Sequence, residues 1–329
     1  MLVIRVGISF SISIIISFIF LPILWTDGAV DVLKGPHAED AKTINLKMKY
    51  RVSAPDKTYR ARFVLLLPST LPYRQKVISK KWIVPPTKIH KRGDSTYAEW
   101  ILDRPKGDID VGCELKIELY PFDYSGLSRD VGYNADYLKD YLMPEKYLET
   151  RSQPIMDLAK KVAPANESGG ILLHSLFKGT LNNLDRLKFA NEAKGAKGAL
   201  QLGGGDCTDF TDVLVSLSRF RKLPARHVHG ILAASFNDTP KHSWAEVYVP
   251  QNGWVRLDPF LAKLKKASFR KLKNYYITLT YDRNNGIYNN KNGISYWRYW
   301  SWGDPIAVTE RLDCGFGVFK ERVSSIREE

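Results

Sequence analysis

The chain has 329 residues, 44% of them hydrophobic and 26% charged, and 49 Lys and Arg against 35 Asp and Glu give a formal charge of +14. These values exclude a disordered, collagenous or coiled-coil chain and suit one large domain or two modest ones. Three cysteines, Cys113, Cys207 and Cys314, are too few for a disulfide scaffold and too widely spaced for the close pairs of a structural zinc site.

Residues 6–25 follow Arg5 and carry no charge. They read either as the hydrophobic part of a secretion signal or as an uncleaved membrane anchor, within a leader spanning residues 1–30. The uncharged run exceeds the usual signal core of about 7–15 residues. Asp27-Gly28-Ala29 also puts an acid where a cleavage site wants a small residue, so the anchor stands beside the signal. Either reading implies export to a periplasm, a cell surface or the exterior. In such an oxidising compartment Cys113 and Cys314 are a candidate disulfide, leaving Cys207 as the thiol.

From Ala41 to Tyr120 apolar and polar residues alternate, as in Ile44, Leu46, Met48, Tyr50 and in Phe63, Leu65, Leu67. Pro55, Pro68, Pro72, Pro85, Pro86 and Lys106-Gly107-Asp108 punctuate the run. The pattern predicts strands and turns in a β-sandwich-like domain over residues 41–125, with Val111–Tyr120 as a late strand. Helical spacing begins after Asn134, with Ile155, Leu158, Ala159 and Val162, then Leu172, Leu173, Leu176 and Phe177. A boundary is therefore expected near 125–135 and a second domain over 135–285. The stretch Tyr275–Asp282 returns to strand, and residues 286–329 form an aromatic-rich tail containing Tyr296, Trp297, Tyr299, Trp300 and Trp302. Such a cluster is expected to serve as core or docking surface before serving as a carbohydrate platform.

The informative stretch opens at Gly203-Gly204-Gly205-Asp206-Cys207. Phe210, Val213, Leu214, Leu217 and Phe220 then recur at helical spacing until Leu223-Pro224 stops the helix. Cys207 falls in the first turn with Asp206 as N-cap, where free backbone N–H groups and the helix dipole favour a thiolate. A strand over His227–Ala233, another over His242–Val249, a turn at Gln251-Asn252-Gly253 and a third strand over Trp254–Pro259 follow. A hairpin of the last two brings Asp258 beside His242. A nucleophilic thiol needs a base within hydrogen-bond reach and an acid that orients the base, so Cys207, His242 and Asp258 are the candidate catalytic residues.

The motifs G-D-C-T-D-F at Gly205–Phe210, R-x-x-x-L-P-A-R at Arg219–Arg226, H-S-W-A-E-V-Y-V at His242–Val249 and G-W-V-R-L-D-P at Gly253–Pro259 resemble the transglutaminase-like superfamily of papain-like cysteine enzymes, in its exported prokaryotic form. The resemblance implies an α+β fold in which the Cys207 helix packs on an antiparallel sheet. It also implies Cys207 as nucleophile, His242 as general base and Asp258 as its orienting acid, with Trp244, Trp254 and Pro259 as framework.

Other polar residues receive plainer assignments. His227 and His229 share a strand face, and without a third ligand at suitable spacing they read as ordinary strand histidines before a metal pair. His37, His90 and His174 have no partner legible in the sequence. Asp209 and Asp212 are assigned to the helix's first turn and solvent face. Glu246 shares the face of His242 and is a candidate for contact with the site.

No cofactor or metal is expected, since no D-x-D-x-D-G loop is present. The expected partner is a protein or peptide substrate, attacked at an amide through a thioester acyl-enzyme. Hydrolysis is favoured over cross-linking to an amine, with a backbone oxyanion donor expected from Gln201–Gly205. A non-catalytic envelope-binding scaffold is the alternative from another class. The basic run Lys263, Lys265, Lys266, Arg270, Lys271, Lys273 reads as a solvated face. The net charge makes an anionic cell-envelope surface a candidate partner, nucleic acid is not expected, and the N-terminal segment contacts membrane if it is retained.

Overall fold

The computed structural model describes residues 40–124, 136–187, 193–233, 240–250, 252–285, 289–290, 293–315 and 318–324. The leader (1–30) and the expected domain boundary (125–135) lie outside the described residues. Among the described residues, no helix is long and apolar enough to cross a membrane.

Six strands come first: β1 (Lys42–Ala54), β2 (Thr58–Leu67), β3 (Gln75–Val84), β4 (Lys88–Arg92), β5 (Ser95–Asp103) and β6 (Gly107–Leu119). Five helices follow: α1 (Gln153–Val162), α2 (Gly169–Asn183), α3 (Gly195–Leu202), α4 (Cys207–Phe220) and, later, α5 (Pro259–Lys263). After α4 come β7 (Ala225–Leu232), β8 (Lys241–Val249), β9 (Gly253–Leu257) and β10 (Tyr276–Thr280). The last described strands are β11 (Trp297–Gly303), β12 (Ala307–Asp313) and β13 (Val318–Ser324).

The alternation in β1 has the expected result: Leu46, Met48, Tyr50 and Val52 are fully buried while Lys47, Lys49 and Arg51 face outward and meet Glu114, Asp110 and Asp108 across the strand pair. Two antiparallel sheets, ordered β13-β12-β1-β6-β3 and β11-β2-β5-β4, close on these apolar faces. Between them lies an aromatic cluster in which Phe63 sits 5.2 Å from Tyr50, 5.7 Å from Trp297 and 6.0 Å from Trp100. Each such buried side chain contributes about 1.5–3 kcal/mol, which is why the aromatic-rich C-terminal segment is built into the sandwich, supplying three of its nine strands. Gly112 in β6 has φ +125°, and a Cβ there would stand 1.9 Å from the Met48 carbonyl oxygen. Only glycine lets β1 and β6 close at that point.

The second layer system is α+β, as the sequence indicates. Its sheet is ordered β9-β8-β7-β10, wholly antiparallel, and α4 packs across β7 and β8. Helix α4 is buried from Cys207 to Arg219, unlike the amphipathic α1, because α1, α2 and α3 cover the face that the sheet leaves open. Gln75 joins the two units: its side-chain amide bonds both the carbonyl and the N–H of Thr278, at 2.9 and 2.7 Å, and so caps β10 as a neighbouring strand would.

None of the three cysteines is in a disulfide. The proposed Cys113–Cys314 pairing is corrected here. Cys113 lies on β6 and Cys314 follows β12, with β1 between them and two residues of register offset, so their Cα atoms are at least about 10 Å apart. A bridge tolerates about 7 Å at most. Burial also pushes the Cys113 thiol up to about 12. The basic run 263–273 is partly spent on ion pairs, Lys263 with Asp185 at 2.9 Å and Lys271 with Asp123 at 3.0 Å.

Candidate active site

The thiol is placed by the helix start. Asp206 caps α4, its carboxylate accepting from the N–H groups of Thr208 (2.8 Å) and Asp209 (3.3 Å), while the Asp209 carboxylate accepts from the Asp206 N–H at 3.0 Å. This reciprocal box fixes the first turn and hence Cys207. Gly205 makes it fit, since a Cβ there would lie 2.2 Å from Asp209 Oδ2. Lys194 adds a cation 3.0 Å from the same oxygen. Gly203 ends α3 in a left-handed turn, φ 69°, so the glycines lead the chain straight from one helix into the next.

The imidazole is placed by the sheet. β8 and β9 form the expected hairpin, with Ala245 opposite Leu257, and Asp258 follows β9 as the N-cap of α5. His242 Nε2 lies 2.7 Å from Asp258 Oδ2, and both residues are fully buried. The Cys207 side chain also acts on the imidazole through its charge. Because Nε2 is committed to Asp258, Nδ1, which has no hydrogen-bond partner, is the ring nitrogen left for proton transfer. Burial alone would lower the basicity of His242, yet the charges of Asp258 and Cys207 outweigh it and push the imidazole up to about 10. Cys207 itself is 4% exposed.

Asp258 is held on every side. Its Oδ1 accepts from the Leu261 N–H at 2.8 Å, and its Oδ2 accepts from the Tyr276 hydroxyl at 2.8 Å as well as from His242. Trp244 stacks beside the imidazole at 6.3 Å and meets Tyr276 edge-on at 5.1 Å, while Phe260 lies 6.2 Å from His242. Pro259 opens α5 as its first helical residue, and Trp254 lies over Arg226, 4.0 Å from the guanidinium carbon. Sequence reasoning missed Tyr276. Its strand was legible, but nothing in the alternation says which of its side chains meets Asp258.

The structure revises two plainer assignments, Asp212 and Glu246. Asp212 does not face solvent: it is fully buried, takes a bidentate bond from Arg283 (2.8 and 2.9 Å) and lies 2.8 Å from His227 Nδ1. A helix covered on all sides has no solvent face to offer it. His227 and His229 do share a strand face, with ring centroids 4.2 Å apart, and His229 Nδ1 is 3.0 Å from Ser243 Oγ. Burial pushes both imidazoles well down, helped by Arg283, so they are neutral. Among the described residues, no group of three His, Cys, Asp or Glu side chains is placed to hold a metal ion. Glu246 shares the face of His242 but spends its carboxylate on Arg74 (2.6 and 2.8 Å) and Arg226 (2.6 and 2.9 Å). His90 stacks on Tyr97 at 5.2 Å and His174 meets Phe269 at 4.8 Å. His37 lies outside the described residues.

Residues 173–259, the span that carries this arrangement, match the family model of the transglutaminase-like superfamily. A solved structure from Cytophaga hutchinsonii, described as a candidate cysteine protease, shares the fold at 13% identity and a TM-score of 0.58, over 87% of this chain and 93% of that one. The periplasmic domain of TgpA from Pseudomonas aeruginosa aligns at 12% identity with a TM-score of 0.35, over 66% of this chain and 88% of that one. The uncharacterized protein YebA of Bacillus subtilis (strain 168) is 31% identical across 20% of this chain and 11% of its own length. The chain thus spans about a tenth of that relative.

Proposed function

From the premise that the chain carries a transglutaminase-like core at residues 173–259, we propose that the protein is an exported cysteine enzyme that hydrolyses amide bonds of protein or peptide substrates. The observation that carries the reading is the buried arrangement of Cys207, His242 and Asp258, with the imidazole raised to about 10 by its two charged neighbours. In this reading the Cys207 sulfur attacks the amide carbon and the amine leaves with a proton from His242 Nδ1. Water, deprotonated by the same nitrogen, then attacks the thioester, freeing the acid and restoring the thiol. Asp258 keeps the ring in the tautomer with its proton on Nε2 and stabilises the imidazolium.

An oxyanion forms at the attacked carbonyl and calls for backbone donors. Asp206 takes the N–H groups of Thr208 and Asp209 through its side chain, and that of Phe210 through its carbonyl at 3.1 Å. The Cys207 N–H, which those bonds do not use, is the donor nearest the thiol. The residues 201–205 that precede it are the proposed source of the second. Export rests on the uncharged segment 6–25, and contact with an anionic envelope surface rests on the charge of +14.

One observation supports transfer to an amine as a second reading: the thiol is 4% exposed and its partners are fully buried, which keeps water from the acyl-enzyme. Mass spectrometry separates the readings. Wild type and Cys207→Ala are each incubated with a casein-like protein and a primary-amine probe. Fragments that vanish in the variant support hydrolysis, and probe attached to glutamine supports transamidation. Neither product, together with a Cys207 thiol that alkylates no faster than a model thiol, refutes the enzyme reading in favour of a binding scaffold.

A further inference from the structure

The strand that carries His242 is tied to the β-sandwich by charges that the chemistry above does not use. Lys241, the residue before His242, pairs with Glu310 of β12, 2.6 Å away, and Glu310 also accepts from the Tyr50 hydroxyl of β1 at 3.0 Å. Glu246, four residues after His242, takes the fork of Arg74 from the turn before β3. The register partner of His242 across the sheet is Gly230. The Tyr296 phenol, just ahead of β11, donates to the Gly230 carbonyl. Tyr296 is in turn held by the sandwich, its carbonyl accepting from the Leu66 N–H of β2 at 2.8 Å.

Glu310, Glu246, Tyr50 and Tyr296 are fully buried, and Lys241 is 9% exposed. Buried ion pairs are poor sources of stability, because desolvation consumes most of what attraction returns and apolar replacements often do as well. What they supply is a single allowed register, since a shifted strand leaves an unpaired charge in the core. Ion pairs at positions before and after His242, plus a phenol on its register partner, hold one residue of the strand along its length and across its width.

We infer that Glu310 and Arg74 of the β-sandwich are positioning residues for the His242 imidazole, so that the sandwich is a working part of the site. The inference rests on the reading of His242 as the base, and it goes beyond that reading by assigning a task to the second unit. Displacement of an imidazole by as little as 1 Å costs up to about 100-fold in its reaction.

The test uses the full chain and no substrate. Wild type, Glu310→Gln, Arg74→Lys, Glu114→Gln and His242→Ala are followed by the rate of Cys207 alkylation with iodoacetamide across pH 5–10 and by the 15N signals of the His242 ring. Glu310→Gln is expected to slow alkylation at neutral pH by about 10–100-fold and to displace the pH profile and the ring signals. Arg74→Lys, which keeps charge but loses the fork, is expected to move both in the same direction by less. Glu114→Gln, which breaks the exposed pair with Lys47 on the same sheet, leaves both unchanged. If Glu310→Gln does not fold, Tyr50→Phe removes only the phenol donor and is expected to slow alkylation about 3-fold. A folded Glu310→Gln or Tyr50→Phe with the wild-type rate, profile and ring signals overturns the inference while leaving the base reading intact, provided His242→Ala loses the fast alkylation. Wild-type alkylation in His242→Ala overturns both.

Discussion

Replacing Asp258 by asparagine keeps the shape of the side chain and removes its charge, and the surrounding bonds dictate the outcome. Three donors now converge on its two oxygens, the Leu261 N–H on Oδ1 and His242 Nε2 and the Tyr276 hydroxyl on Oδ2. Asparagine has one oxygen. If its amide nitrogen turns toward His242, Nε2 must become the acceptor and the ring proton moves to Nδ1, the wrong tautomer for a base beside sulfur. If the oxygen stays there, the Leu261 N–H at the start of α5 faces another donor. The rise of His242 from 6.5 to about 10 corresponds to about 5 kcal/mol in favour of the imidazolium. Asp258 is the larger of the two charges responsible, so about 3 kcal/mol, or about 100-fold, is expected to go with it.

The direct assay is a 15N titration of the His242 ring, alongside Cys207 alkylation at neutral pH. Asp258→Asn is expected to lower the titration by about two pH units or more and to slow alkylation about 100-fold. There is a stability corollary. A folded-state value above the unfolded one stabilises the fold in full below pH 6.5, and this contribution is lost as pH rises toward about 10. Urea midpoints between those limits should therefore fall in wild type and stay flatter in the variant. An imidazolium that persists to alkaline pH in Asp258→Asn, with wild-type alkylation, would refute the reasoning.

Three further outcomes follow from the same bonds. Tyr276→Phe removes one donor from Asp258 and is expected to cost about 1–2 kcal/mol in urea unfolding and, by leaving the carboxylate charge less shared, to raise the His242 titration slightly; an unchanged titration shows that the phenol does not matter to the pair. Glu246→Gln strands Arg74 and Arg226 in the interior and is expected to cost about 3–5 kcal/mol at neutral pH. Burial would raise Glu246, but the two arginines outweigh it and hold it down at about 2, so its stabilisation is present above 4.5 and lost as pH falls toward 2. Acid unfolding curves of Glu246→Gln should lack that limb. Gly205→Ala drives a Cβ into Asp209 and is expected to break the capping box, costing about 1–2 kcal/mol in thermal unfolding and slowing Cys207 alkylation. A variant with wild-type melting and alkylation contradicts that reading of the helix start.

Much of this was legible in short-range patterns. Period-two alternation marks β1, apolar spacing marks α4, and Asp206 announces its start. The turn at Asn252-Gly253 sets the hairpin register that places Asp258 against His242. What stayed hidden is everything set by partners far along the chain. The alternation of β8 puts Glu246 on the His242 face, yet its partner Arg74 lies 172 positions upstream. Asp212 sits at an ordinary helix position, and only the packing of a fully covered helix and the arrival of Arg283 turn it inward. The aromatic C-terminal strands read as a tail because pairing of Val52 with Val308 leaves no local trace.

That last pairing orders events in time. Strand β1 emerges early in synthesis and stays an open edge on its β12 side until Ala307–Asp313 arrives, some 250 residues later. Every residue of the thiol and imidazole arrangement has been made by then. Its clamp through Glu310 has not. Chains broken off before β12 thus contain the complete set of reacting side chains without the strand that fixes them. Competence is deferred until β12 has been made, and products broken off before it are left with an unpaired β1 edge.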